Sequence, residues 1–325
     1  MTADAGKHHK DNSRKVIPRE WGLSPIRPSG AGVVPGPFEC LPCLSRQLAM
    51  TAQLSDAGKQ KRHAGIAEAL MHLAMSEPDT PLPVVSEDLQ RTVMRHTGGA
   101  DSYADVRRRL SSAARALLPA LLRLQQEARD PWPVAVRVSA AGNLMEQARD
   151  PEQAGAAMDA AWHAAVRGRL ALDHGEELRQ AAKDARRIVF LADNAGEVIW
   201  DSLLIDQLGA SRVTLAARRL PYLHDALAEE LVSPDDRMAC EVAAFDDPPP
   251  GYAREHGTGS LDQLLAGADL VIAKGSEWPE RLAGRVPAEL CFFLFAPACH
   301  RIATRFGVPP KSLVAAHAAA LTTLR

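Results

Sequence analysis

Three stretches of the chain carry side chains that could do chemistry together: Asp193-Asn194 with Gly196-Glu197, then Asp225, then Lys274-Gly275-Ser276-Glu277. Asp193, the side-chain carbonyl of Asn194 and Asp225 form an oxygen donor set that suits a hard divalent cation such as Mg²⁺ or Mn²⁺. Gly196 lies in the opening turn of a helix, where free backbone N–H groups attract phosphate. Lys274 would add a point charge for a phosphoryl oxygen, and Glu197 would orient a water or support a ligand from behind. Together these parts suit metal-assisted attack on a phosphate ester. Each has a plain structural reading when taken alone. An Asp or Asn before a helix is an ordinary N-cap, a Gly relieves a turn, and a Lys reaches for water. Their coincidence at successive strand ends is what points to a site.

Those strand ends follow from the pattern around them. From about residue 186, short apolar runs alternate with helical segments: RIVFLAD (187–193), RVTLAAR (212–218), MACEVAAF (238–245), DLVIAKG (269–275) and ELCFFLFA (289–296). Continuous apolar strands separated by helices imply a mostly parallel sheet covered on both faces. In such a sheet ligands bind beyond the carboxyl ends of the strands. Upstream, apolar residues at helical spacing, such as Val106, Leu110, Leu117, Leu121 and Leu124, predict an amphipathic helix that Pro119 should kink or divide. Further helices are expected over 134–148, 151–166 and 170–184. The expected class is therefore α/β: a doubly wound, mostly parallel three-layer α/β/α sheet domain behind an all-helical N-terminal domain. The expected division is a flexible tail over 1–37, a helical domain over 38–185, and a metal- and phosphate-binding α/β domain over 186–325.

Composition narrows the function class. Lys plus Arg is 38 against 40 for Asp plus Glu, without the basic excess of a general nucleic-acid or acidic-membrane binder. No apolar run reaches the roughly 20 residues that span a bilayer, and the polar start MTADAGKHHKDNSRK lacks a signal core, so a cytoplasmic location is expected. Five scattered cysteines, Cys40, Cys43, Cys240, Cys291 and Cys299, do not form a disulfide framework. Cys40 and Cys43 alone are too few for zinc, and the role of the pair is left open. Trp278 near the rim would either stack on a substrate or plug the pocket.

At these residues the chain resembles the damage-control phosphatases, also known as domain of unknown function 89. DNAGEVIWDSLLIDQL matches their Asp-Asn-x-Gly-Glu signature, LPYLHDAL their segment ending in Asp, DLVIAKGSEWPE their strand ending in Lys-Gly, and ELCFFLFAPACHRIA their following strand and Cys. SAAGNLMEQA (139–148) resembles an upstream Ala-x-x-Asn helix, and FECLPC (38–43) the Cys-x-x-Cys of one subfamily. The resemblance implies Asp193, Asn194 and Asp225 as metal ligands and Asp193, Asn194, Glu197 and Lys274 as the catalytic set. It further implies Gly196, Asn143, Lys274 and Glu277 as substrate contacts. Where the family usually reads Gln-Gly-Asn after Lys-Gly, this chain has Ser276-Glu277-Trp278, and Pro297-Ala298 replaces a basic residue before Cys299.

The expected function is metal-dependent hydrolysis of phosphate monoesters, of sugar phosphates or related damaged metabolites. The cofactor would be Mn²⁺, Mg²⁺, Co²⁺ or Ni²⁺, and the partner a small phosphorylated metabolite, with no nucleic acid or membrane. Two alternatives stand beside it. One is a catalytically weak phosphometabolite-binding protein, suggested by the altered KGSEWPE segment. The other is an S-adenosylmethionine-dependent methyltransferase, which normally carries a glycine-rich turn where this chain has a single glycine.

Overall fold

The side-chain alternation of a pleated strand decides which layer each residue joins, and it does so here with little ambiguity. A computed structural model describes residues 40–76, 82–148, 150–232, 238–245 and 261–321. The tail expected over 1–37 lies outside them. Seven strands form one sheet among the described residues: β1 (Leu170–Asp173), β2 (Ile188–Leu191), β3 (Val213–Arg218), β4 (Glu241–Phe245), β5 (Leu270–Lys274), β6 (Cys291–Phe295) and β7 (Leu313–His317). Their order is β1-β7-β6-β5-β2-β3-β4. Every pairing is parallel except β6 with β7. The sheet is thus mostly parallel, and the five strands expected from 186 onward all form.

On one face Ile188, Phe190, Leu215, Leu270 and Ile272 share a core with helices. On the other, Val189, Leu191, Ala216, Val271 and Ala273 pack with Trp278, Leu282, Ile302 and Phe306. That period of two makes three layers. The first face is covered by α4 (Ala104–Gln126), α5 (Pro131–Gly142), α6 (Ala154–Arg167) and α8 (Ala195–Leu208). The remaining early helices are α1 (Leu41–Leu54), α2 (Lys59–Met75) and α3 (Leu82–His96), which bury Leu44, Leu48, Leu73, Leu89 and Val93 in a core of their own. A seventh helix, α7 (Gly175–Asp184), precedes β2. No helix among the described residues is long and apolar enough to cross a membrane.

Three local expectations differ from the structure. Residues 170–173 form β1 rather than the start of a helix, because Leu-Ala-Leu-Asp pairs with β7 at the sheet edge. Strand structure therefore begins upstream of residue 186. Tertiary pairing outweighs the helical preference of Leu and Ala. Helix α4 runs undivided through Pro119. The segment PYLHDALAEELV, which reads as a helix in the sequence, is helical only over Ala228–Leu231, since His224 and Ala226 are tied by backbone hydrogen bonds to Ala195 and Asp193 after β2.

Candidate active site

The sheet order β5-β2-β3 places three strand ends side by side. Leu191 of β2 is level with Ala216 of β3 and Ala273 of β5. Beyond those positions lie Asp193, Arg218 and Lys274, an acid between two cations. Asp225 joins them through a short backbone ladder: Ala226 N–H donates to the Asp193 carbonyl (2.7 Å) and Ala195 N–H to the His224 carbonyl (3.1 Å). Leu223 takes a positive φ of 48° to make that return. Carboxylate oxygens of Asp193, Asp225 and Glu277 then lie within 4.8 Å of one another.

Close packing fixes the Asp193 side chain. Asn143, in the 3₁₀ turn after α5, donates from Nδ2 to Asp193 Oδ2 (2.7 Å) and Glu197 Oε2 (3.2 Å). Its own carbonyl accepts from Ala296 N–H (2.9 Å) at the end of β6. Asn194 Nδ2 donates to the same two carboxylates (2.8 and 2.6 Å). Asn194 also caps α8 in a capping box with Glu197. The Asn194 amide is thus engaged by its own loop and helix. Gly275, at φ +94°, leaves room for the Asp193 carboxylate, which an added Cβ would approach to 2.4 Å. Gly196 faces the other way: its missing Cβ lets Leu110 of α4 and Met145 approach, so the glycine serves helix packing.

Lys274 is fully buried. It continues the Leu270–Ile272 face of β5 and so points into the α5–α8 layer. Its ammonium donates to the Ser139 carbonyl (2.7 Å), pairs with Asp201 Oδ1 (3.0 Å) and makes a short contact with Glu197 Oε1. The three N–H donors of the lysine all meet protein acceptors. They meet two acids and a backbone carbonyl behind the cluster, whereas the sequence suggests a reach toward phosphate. Burial opposes the charge on Lys274, and Asp201 and Glu197 overcome it, raising its pKa. Burial pushes the Asp201 carboxyl up to about 7 against the pull of Lys274.

On the opposite face of the sheet, Arg218 reaches Asp225 through Nε, Glu87 of α3 through Nη1 (3.2 Å) and Glu277 through Nη2 (3.0 Å). Its guanidinium lies 4.5 Å from the ring centroid of Tyr222. In the sequence Arg218 is only the last residue of the run RVTLAAR. The alternation along β3 carried the signal of its direction. Glu87, 131 positions away, had none. Burial, then Glu197 and Asp225, hold the Asp193 carboxyl well above the ordinary carboxylate range. Burial likewise pushes Asp225 up to about 7, with Arg218 opposing and Glu277 assisting. Two neighbouring acids displaced in this direction mark a place short of positive charge, and the donors there are hard oxygens. The residues fit a divalent cation.

The family model of the damage-control phosphatase ARMT1-like domain matches residues 38–314. A damage-control phosphatase of Archaeoglobus fulgidus is 25% identical over 291 residues, covering 85% of this chain and 96% of the relative. Damage-control phosphatase PH1575 of Pyrococcus horikoshii is 22% identical over 283 residues, with 85% and 96% covered. The crystal structure of that DUF89 family protein superposes with a TM-score of 0.71 at 21% identity, over 87% of this chain and 98% of the other. That likeness carries the fold, and the extent of the family match sets the methyltransferase alternative aside. With the match running from the first described helix into the last strand, the chain belongs to the damage-control phosphatase ARMT1-like family.

Proposed function

We propose that this protein is a metal-dependent phosphomonoesterase acting on small phosphorylated metabolites, sugar phosphates among them. One observation carries the reading: three carboxylates from three separate loops meet at the carboxyl edge of a parallel sheet. Asp193, Asp225 and Glu277 would hold the cation. When bound, the cation would polarise the phosphoryl group and lower the pKa of a nucleophilic water.

The protein's own groups prepare that edge. Asn143 and Asn194 hold Asp193 Oδ2 in one orientation. Glu197, fixed by both amides and by Lys274, supports Asp193 from behind. Water attacks phosphorus as the ester P–O bond breaks, and the leaving alcohol takes up a proton. Within this reading Lys274 holds Glu197 in place rather than touching the phosphate. All five cysteines are free, which supports a reducing, cytoplasmic setting.

The test is hydrolysis of a panel of phosphorylated sugars and cofactors with Mn²⁺, repeated after chelation. Activity should need the metal, and Asp193→Ala should abolish it with the fold retained by circular dichroism. A fully active Asp193→Ala would refute the assignment.

A further inference from the structure

Glu277 and Asp225 are tied into a second structure that the chemistry above does not use. Arg218 Nη1 contacts Glu87 Oε2 (3.2 Å), Glu87 Oε2 contacts Arg281 Nη2 (2.9 Å), Arg281 Nε contacts Glu277 Oε2 (3.3 Å), and Glu277 Oε1 returns to Arg218 Nη2 (3.0 Å). Two arginines and two glutamates thus close a ring of alternating charge, with Asp225 attached through Arg218. Arg91 adds a further contact to Glu87 Oε1 (2.7 Å). Glu87, Arg218 and Arg281 are all buried.

The ring has an inner and an outer side. Glu277 and Asp225 belong to the acidic cluster at the strand ends, while Glu87 comes from α3 and touches none of its members among the contacts described. Tyr222 fastens the two sides together, donating its hydroxyl to Ser86 next to Glu87 (2.9 Å) while the guanidinium of Arg218 lies on its ring. An arginine shared between acids is drawn toward whichever is left least neutralised. Glu87 shares both arginines with the inner carboxylates, so their positive charge is not committed to Asp225 and Glu277 alone.

We propose that Glu87 is a positioning residue that sets the divalent-cation affinity of the site, acting through Arg218 and Arg281 on Asp225 and Glu277. The inference rests on the cation reading of the acidic cluster. Removing the outer negative charge leaves the arginines to compete with the cation for the inner acids. Removing an arginine does the reverse. The two changes therefore carry opposite signs, which loosened packing could not produce.

The experiment is calorimetric titration of Mn²⁺ into the full chain after chelation, with melting curves of the metal-free variants. Glu87→Gln should weaken Mn²⁺ binding roughly tenfold, the scale of one nearby buried charge. Glu87→Asp, which keeps the charge, should bind within about threefold of the parent by the same reasoning. Arg281→Gln should bind Mn²⁺ more tightly. If Glu87→Gln does not fold, the sign of the Arg281→Gln change still decides. Unchanged binding in Arg281→Gln, or weakening in both variants, would overturn the role of Glu87. A parent protein that takes up no Mn²⁺ would instead overturn the cation reading beneath it.

Discussion

Lys274 and Arg218 are buried cations at strand ends on either side of β2, yet they stand on opposite faces of the sheet and serve different ends. Lys274 ends β5 in the register of Leu270 and Ile272, inside the dry layer between the sheet, α5 and α8. Its compact ammonium is enclosed by Glu197, Asp201 and the Ser139 carbonyl. Arg218 ends β3 in the register of Ala216, on the face that carries Phe245 and Trp278. Its planar fork reaches three acids at once, two of them in the acidic cluster at the strand ends. A point charge suits a closed neutralising pocket, and a fork suits a junction between layers. The difference separates what holds the scaffold from what tunes the site.

Lysine removal should break the scaffold side most severely. Lys274→Met leaves Glu197 and Asp201 buried around a missing charge, a change that typically costs about 3–5 kcal/mol. Urea unfolding should show that loss, and adding Asp201→Asn should recover part of it by deleting one stranded acid. A Lys274→Met protein as stable as the parent would mean that the lysine is not a structural counter-ion.

The same contrast marks how much was legible in the sequence. The strands with continuous apolar runs were readable, as was the convergence of Asp193, Asp225 and the Lys274–Glu277 segment on one edge, because parallel α/β topology dictates it. The direction of Lys274 is written in the alternation of Leu270, Ile272 and Lys274, which share one face of β5. Strands β1 and β7 were not legible, since LALD and LVAAH carry little intrinsic strand preference, β7 forming against β6 and β1 against β7. Glu87 could not be found, because nothing local to α3 records a partner on β3. In the sequence Gly275 is only the second half of a Lys-Gly pair. Its role became visible only with a positive φ and an acid against its Cα.

Gly275→Ala sharpens the comparison from the site side. A side chain at φ +94° is strained by roughly 1–2 kcal/mol, and its Cβ would overlap the Asp193 carboxylate. Relieving that overlap moves the carboxylate and breaks the Asn143 and Asn194 contacts that fix the oxygen nearest the glycine. Mn²⁺ binding and Mn²⁺-dependent turnover should fall by about tenfold or more, the effect of misplacing a reacting group by an ångström or so, while the melting temperature drops only a few degrees. A variant that loses stability without losing metal binding would show that the close approach is packing alone.

The gentlest test titrates the arginine ring through acid stability. Burial raises the cost of ionising Glu87, and Arg218, Arg281 and Arg91 outweigh it, so its pKa falls from 4.5 to about 2. A carboxylate with a depressed folded-state value contributes stability above its unfolded value, and that contribution is lost as pH falls toward the folded one. The window therefore runs from 4.5 down to about 2. Within it, Glu87 alone accounts for a loss of about 1 kcal/mol by roughly pH 3.7, from the linkage relation. Over the same interval Glu87→Gln should lose less stability than the parent, although it starts lower at neutral pH with its arginines uncompensated. Parallel pH curves would mean that Glu87 titrates alike folded and unfolded. The three guanidiniums would then be neutralised by Glu277 and Asp225 instead, and the ring would lose its outer anchor.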